Sequence, residues 1–245
     1  MIEIIDLYKS FGNEPVLKGI NLDIEAGETI VIIGRSGCGK SVLIKNIVGL
    51  LSPDSGHVKV EGRIVDDLSQ KELYELRIRF GFLFQGAALF DSMTVEENVA
   101  LPLVETQTGI SKTEIAKRVE EKLEMVGLPG VQHLKPAELS GGMKKRVGLA
   151  RALITDPDYV FYDEPTTGLD PIMSTSIDEL IKELTDKLNV TSIVVTHDMF
   201  SVKKVANRVA MINDGKIYFT GSSDELINSE DEIIKKFVRR TEVMK

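Results

Sequence analysis

Gly34-Arg35-Ser36-Gly37-Cys38-Gly39-Lys40-Ser41 follows directly on the apolar run Thr29-Ile30-Val31-Ile32-Ile33, and Val42, Leu43, Ile47 and Leu50 then recur at helical spacing. The order is strand, glycine-rich turn, helix, and the turn reads G-x-x-x-x-G-K-S, the phosphate-binding loop in its required context. Gly34, Gly37 and Gly39 let the backbone curl until successive N–H groups face one anion, with no Cβ in the way. The helix starting near Lys40 adds the positive end of its dipole. Lys40 is placed to reach the β- and γ-phosphates, and the Ser41 hydroxyl suits a Mg²⁺ shell. Residues Gly34, Arg35, Ser36, Gly37, Cys38, Gly39, Lys40, Ser41 and Val42 are therefore the expected triphosphate-binding set. A plain glycine-rich turn with an incidental lysine is the alternative, and the flanking strand and helix argue against it.

The 245 residues suffice for one large α/β domain or two small ones. Apolar residues at 42% and charged residues at 28% are ordinary for a packed globular chain and weigh against wholesale disorder. A net charge of −8 leans against a dedicated nucleic-acid binder. The one cysteine, Cys38, leaves no partner for an internal disulfide and reads as a small filler in the loop, which fits a reducing compartment. Met1 to Leu7 reads as an alternating strand rather than a leader, and no apolar run approaches the roughly 20 residues that span a bilayer. The expected location is cytoplasmic, with any membrane connection made through a partner.

Short β-branched or aromatic runs predict strands at Ile2–Leu7, Ile20–Ile24, Thr29–Ile33, Val58–Val60, Phe80–Phe84, Tyr159–Tyr162, Ser192–Thr196, Val209–Ile212 and Lys216–Phe219. The runs at 29, 159 and 192 are almost uninterrupted, as parallel strands covered on both faces should be. Those before residue 30 and near 56–65 are broken by polar residues and suit an antiparallel addition. Ser111-Lys112-Thr113-Glu114 predicts a capping box before a helix with Ile115, Val119, Leu123 and Val126 on one face and Gly127 as its stop. Asp170-Pro171 opens another, with Ile177, Ile181, Leu184 and Leu188 recurring. The expected fold is α/β: a mostly parallel P-loop core (about 1–85 and 156–225) with an antiparallel β subdomain, an inserted helical subdomain (about 86–155), and a C-terminal helix (about 226–245). Asp224-Glu225 opens the tail helix, and Lys235, Lys236, Arg239 and Arg240 near its end read as complements to the helix dipole, with a dimer or regulator contact as the alternative.

Val160-Phe161-Tyr162 runs into Asp163-Glu164, an apolar strand ending in two carboxylates. Behind a P-loop, such an aspartate holds Mg²⁺ and its neighbour polarises water. Thr196-His197 ends another apolar run. A lone histidine is usually structural, but strand ends of open α/β sheets are where ligands bind. Leu139-Ser140-Gly141-Gly142-Met143 before a basic helical stretch makes a second anion-binding turn. An N-cap alone explains Ser140 but does not ask for two glycines.

Residues 139–143 resemble the signature motif of ABC-transporter ATPases, usually Leu-Ser-Gly-Gly-Gln, and the P-loop, Gln85, signature, Asp163-Glu164, Gly168-Leu169-Asp170 and His197 follow in that family's order across about 1–225. The resemblance implies the RecA-like core and ATP with Mg²⁺. It also implies a head-to-tail homodimer in which Ser140, Gly141 and Gly142 of one copy close over ATP held by the other. It implies Phe11 as the ring stacked on adenine, with Tyr8 as the weaker candidate and core packing as the alternative. Lys40, Gln85, Glu164 and His197 become catalytic. Ser41, Gln85 and Asp163 become Mg²⁺ ligands, with Gln85 also reporting to an integral-membrane permease, and Asp170 lies at the subunit interface. Met143 departs from the usual glutamine, so any contact made by that amide is lost.

Phe82 to Val95, Glu97 to Leu103 and the Leu-Ser-Gly-Gly-Met variant are similar to the MlaF-type ATPases of Mce-linked phospholipid transport, whereas Thr166-Thr167-Gly168-Leu169 follows the general family. That subgroup implies lipid trafficking at the inner face of the cell membrane, with a Mce-domain lipid-binding protein and a small regulatory subunit as further partners. Ala87–Phe90 and Val99–Val104 are read as either a groove for a permease helix or as buried packing. The readings kept beside it are an ABC ATPase for amino acids, ions or lipoproteins, a soluble ABC ATPase acting on DNA or ribosomes, and a non-hydrolysing regulatory partner.

Overall fold

A computed structural model describes residues 1–107 and 109–243, with side chains as far as Arg239. In chain order the elements are β1 (Ile2–Phe11), β2 (Glu14–Ile24), β3 (Thr29–Ile33), α1 (Lys40–Ile47), β4 (Ser55–Val60), β5 (Arg63–Ile64), α2 (Gln70–Ile78), β6 (Phe80–Leu83), α3 (Val95–Thr106) and α4 (Lys112–Met125). There follow α5 (Gly141–Leu153), β7 (Tyr159–Asp163), α6 (Pro171–Leu188), β8 (Thr191–Val195), α7 (Met199–Val205), β9 (Arg208–Asn213), β10 (Lys216–Gly221), α8 (Ser223–Ile227) and α9 (Glu232–Val243). The chain divides into two compact units, one formed by Met1–Arg77 with the chain from Thr191 on, the other by Ile78–Val190.

In the first unit β3 lies between β8 and β9 and is parallel to both, with Ile32 opposite Val195 and Ile33 opposite Met211. All five residues of β3 are buried, as an uninterrupted Thr-Ile-Val-Ile-Ile run in a doubly covered parallel sheet requires. β10 adds antiparallel to β9. A second, antiparallel sheet has the order β2-β1-β4-β5. Its polar-interrupted strands alternate buried and exposed residues, the pattern of a sheet with one solvated face. Arg77 closes the end of α1, its guanidinium donating to the carbonyls of Val48 (3.1 Å) and Gly49 (2.6 Å).

In the second unit β6 and β7 pair in parallel, with Leu83 opposite Tyr162. Phe80, Phe82, Tyr159 and Phe161 stack across the pair, Phe80 on Tyr159 at 4.8 Å and Phe82 on Phe161 at 5.0 Å between ring centres. Helices α3, α4, α5 and α6 complete this unit. Buried Asn98 holds the loop before α3, accepting from the Phe90 N–H (2.7 Å) and donating to the Phe90 and Thr94 carbonyls. Ala87, Val99, Ala100 and Leu103 are buried while Phe90 and Val104 are half-exposed, so the two apolar stretches serve packing and surface by turns.

Several expectations need correction. β1 and β2 run on through the polar Lys9-Ser10 region, because the ladder Lys9↔Leu17 and Phe11↔Glu14 pairs it whatever its polarity. The two-residue β5 is too short to show a period. Leu50 lies past the end of α1 and is 60% exposed, so it leaves the buried stripe of Leu43 and Ile47. At Ser111 half of the capping box forms: its hydroxyl accepts from the Glu114 N–H (3.2 Å), while the Glu114 carboxylate takes Arg118 Nε (2.9 Å). The tail is two helices rather than one. Asp231 caps a new start by accepting from the Ile233 and Ile234 N–H groups. Lys235 and Lys236 therefore lie in the first half of α9, where they do not complement a helix C-terminus, and Lys235 pairs with Glu230. The Arg240 side chain lies outside the described residues.

Candidate functional site

The first unit gathers the phosphate-binding loop, His197 and the aromatic candidates. Because β3 and β8 are parallel and in register to their ends, the loop leaving Ile33 and the Thr196-His197 pair leaving Val195 emerge on the same sheet edge. Gly34 has φ 152°, and a Cβ there would lie 2.5 Å from the Ile212 carbonyl oxygen and 2.6 Å from Cys38 Sγ. Gly39 precedes α1 at φ 107°, and a Cβ there would lie 2.7 Å from Leu17. Both positions require glycine on conformation and on space. Lys40 Nζ donates to the carbonyls of Gly34 (2.7 Å) and Arg35 (3.1 Å), so the loop wraps its own cation. Ser41 is exposed in the first turn of α1. Burial pushes the Cys38 thiol pKa up, against a smaller downward pull from the Lys40 ammonium.

His197 is exposed, next to buried Thr196, whose hydroxyl accepts from the Asp198 N–H (3.0 Å). Asp198 in turn caps α7 by accepting from the Phe200 N–H at 2.9 Å. Phe11 is 50% exposed where β1 turns into β2, with Lys9 Nζ 6.0 Å from its ring centre. The Tyr8 phenol covers Gly19, where a Cβ would meet its oxygen at 2.8 Å. Phe11 is thus the more open ring.

The second unit gathers the carboxylates, Gln85 and the signature turn. The parallel β6–β7 pair ends at Leu83 and Asp163, which places Gln85 and Asp163-Glu164 on one edge. Glu164 takes the left-handed conformation at φ 48°. Its carboxylate accepts from the Thr167 hydroxyl (3.1 Å) and its carbonyl from the Thr167 N–H (3.3 Å). Buried Lys145 Nζ donates to the Gln85 carbonyl and to the Glu164 carbonyl (3.2 Å). Burial lowers the Lys145 pKa, opposed by the nearby charges of Asp163 and Glu164.

Ser140 is the N-cap of α5, its hydroxyl accepting from the Met143 N–H at 3.3 Å, and Gly141 is exposed beside it. Gly142 is buried, and a Cβ there would fall 1.9 Å from Met173 Cε, the free end of a flexible side chain on α6. Asp170 is the exposed N-cap of α6, accepting from Ile172 and Met173 N–H groups at 3.0 Å each. Sequence patterns do not mark Lys145, Thr167, Arg151 or Asn98. Lys145 and Arg151 depend on partners brought close by the fold, 60 residues away for Lys145 and Gln85, while Thr167 and Asn98 depend on the local turn that forms around them.

Taken unit by unit, the loop residues of the first fit a triphosphate, and each unit offers oxygen donors of the kind a divalent cation takes. Gly34 and Gly39 keep side chains out of a loop that ends at a helix N-terminus, Lys40 supplies the cation, and Ser41, Gln85 and Asp163 are hard oxygen donors.

The family described as ABC transporter matches residues 17–167. A probable ribonucleotide transport ATP-binding protein of Mycobacterium leprae is 40% identical over 97% of this chain and 68% of its own length. The ATP-binding protein MlaF of an intermembrane phospholipid transport system of Haemophilus influenzae is 42% identical over 98% of this chain and 90% of its own. A methionine import ATP-binding protein of Rhizobium etli is 45% identical over 90% of this chain and 61% of its own. Among solved structures, a dimeric ATP-binding cassette in a post-hydrolysis state with ADP and Pi superposes with a TM-score of 0.82 at 35% identity, covering 91% of this chain and 99% of that one. With a P-loop on a parallel strand, two carboxylates ending another, and a glycine signature turn opening α5, the chain belongs to the ABC transporter family as an ATP-binding subunit with a RecA-like core.

Proposed function

We propose that this chain hydrolyses ATP as one of two identical copies seated on a membrane permease, and that the cargo is lipid. The observation that carries the hydrolytic part is the turn at Glu164, where a left-handed backbone and the Thr167 hydroxyl aim a carboxylate beside Asp163. Lys40 and the N–H groups of the loop hold the phosphates, and Phe11 stacks on the base. Ser41, Gln85 and Asp163 are assigned to Mg²⁺, which when bound neutralises phosphate charge. Glu164 accepts a proton from the attacking water, and His197 donates toward the terminal phosphate. The exposed Ser140 and Gly141, with Gly142, suit the phosphate of ATP bound to the other copy, which leaves Asp170 near the junction of the two. Support for pairing comes from the dimeric cassette of matching fold. Among the described residues no helix is long and apolar enough to cross a membrane, which suits a peripheral subunit on the cytoplasmic face.

Support for lipid as cargo is the similarity of residues 82–103 and of Met143 to MlaF-type ATPases, the resemblance that also points to a Mce-domain partner and a small regulatory subunit. Amino-acid import is the second reading, favoured by the 45% identity to a methionine import subunit. The test is to purify the tagged full chain from its own membranes, identify the permease and bound lipid by mass spectrometry, and assay ATPase stimulation. A co-purifying lipid-binding partner, with turnover raised by phospholipid, is expected. Stimulation by methionine and its binding protein, without lipid, would overturn the cargo assignment and favour the second reading.

A further inference from the structure

Helix α5 opens with the signature turn, and one of its faces carries three residues spaced by three: Lys145, Gly148 and Arg151. This face closes on two backbone turns of the same unit. Lys145 is 5% exposed and donates to the carbonyls of Gln85 and Glu164. Arg151 is 8% exposed and donates to the carbonyls of Ala87 (2.6 Å) and Ala88 (2.7 Å). Gly148 between them permits the approach, since a Cβ there would lie 2.9 Å from Leu83 and 3.2 Å from the Ala87 Cβ.

Three of the residues so held are left-handed without being glycine: Ala87 (φ 59°), Ala88 (φ 47°) and Glu164 (φ 48°). Such conformations persist only where the surroundings fix them. Burying an ammonium is costly unless its hydrogen bonds are met, and Lys145 meets them on main-chain oxygens of two separate turns. A neutral side chain of the same length would pack there but would not join the turns.

We propose that Lys145 is a positioning residue that ties the turn bearing Gln85 to the turn bearing Glu164, and through α5 ties both to the Ser140–Gly142 signature turn. Movement of the signature turn is then passed to the chain's own catalytic carboxylate. Arg151 holds only the Gln85 side of the device. The inference rests on the assignment of Gln85 and Glu164 to the hydrolytic site.

The test compares hydrogen–deuterium exchange of the nucleotide-free full chain with its Lys145→Met and Arg151→Met variants. Lys145→Met should speed exchange about tenfold in both 84–88 and 164–168, and Arg151→Met in 84–88 alone. In steady-state assays Lys145→Met should lower kcat about tenfold with KM for ATP within about threefold, and Lys145→Arg should recover part of the loss. Should Lys145→Met fail to fold, Lys145→Leu, which also lacks a donor, is read instead, with the same pattern expected. Unchanged exchange at 164–168, or uniform loosening across 78–190, would overturn the proposal and make Lys145 a packing residue. Wild-type hydrolysis by Glu164→Gln would instead remove the parent site assignment, whatever the exchange pattern shows.

Discussion

At Glu164 the polypeptide accepts a left-handed backbone at φ 48° to direct one carboxylate, with Thr167 bonded to both its side chain and its carbonyl. Replacing Glu164 by Gln keeps size and polarity while removing the proton acceptor. We expect ATP to bind normally and kcat to fall about 10²- to 10⁴-fold, checked by nucleotide-binding calorimetry beside a phosphate-release assay. Cys38 offers a second readout. Its thiol pKa is raised by burial, so the thiolate is scarcer at pH 8 than in an unfolded chain. Between the unfolded and the raised folded pKa the native state holds the extra proton, so this group's contribution to stability is present below the unfolded value and fades as pH rises through the folded one. Iodoacetamide should therefore label Cys38 several-fold more slowly than a free peptide thiol, and Mg²⁺ with ATP should slow it further; equal rates would contradict the buried setting. At this scale the turns themselves were legible, because Gly34 to Ser41, Ser140 to Gly142 and Asp163-Glu164 take conformations set by local backbone geometry. Lys145 and Thr167 were not, because a lysine in a basic helix and a threonine in a turn acquire meaning only from the carbonyl or carboxylate they reach.

Gly142 shows how one element serves packing and chemistry together. An added methyl would strike Met173 Cε, the free end of a flexible side chain that can swing aside, and alanine suits a helix better than glycine. Gly142→Ala should thus change unfolding free energy by less than about 1 kcal/mol while ATPase falls at least about tenfold. Adding Met173→Ala should not restore turnover; if it does, the glycine is there for α6 alone. Asp170→Ala removes a double N-cap and should cost about 1 kcal/mol by thermal unfolding. Element by element, the apolar runs at β3, β7 and β8 declared themselves because burial on both faces leaves no polar interruption. The far half of β1 and the break between α8 and α9 stayed hidden. Cross-strand pairing imposes the first, and the second turns on Asp231 capping α9 through the Ile233 and Ile234 N–H groups.

The phosphate loop and His197 lie in one unit; the carboxylates, Gln85 and the signature turn lie in the other. The signature turn presents Ser140 and Gly141 to solvent, a poor use of an anion-binding helix start unless another molecule supplies the anion. On this account the missing anion is the ATP of a second copy. Glu164→Gln should accordingly run as a dimer with Mg²⁺ and ATP in size-exclusion chromatography with light scattering, and as a monomer without nucleotide. The most direct measurement is the ATPase rate per molecule of the full chain across a dilution series, with its mass followed in parallel. The account predicts a rate that falls away as the pair separates. A rate per molecule that stays constant well into the range where only single copies remain would contradict it.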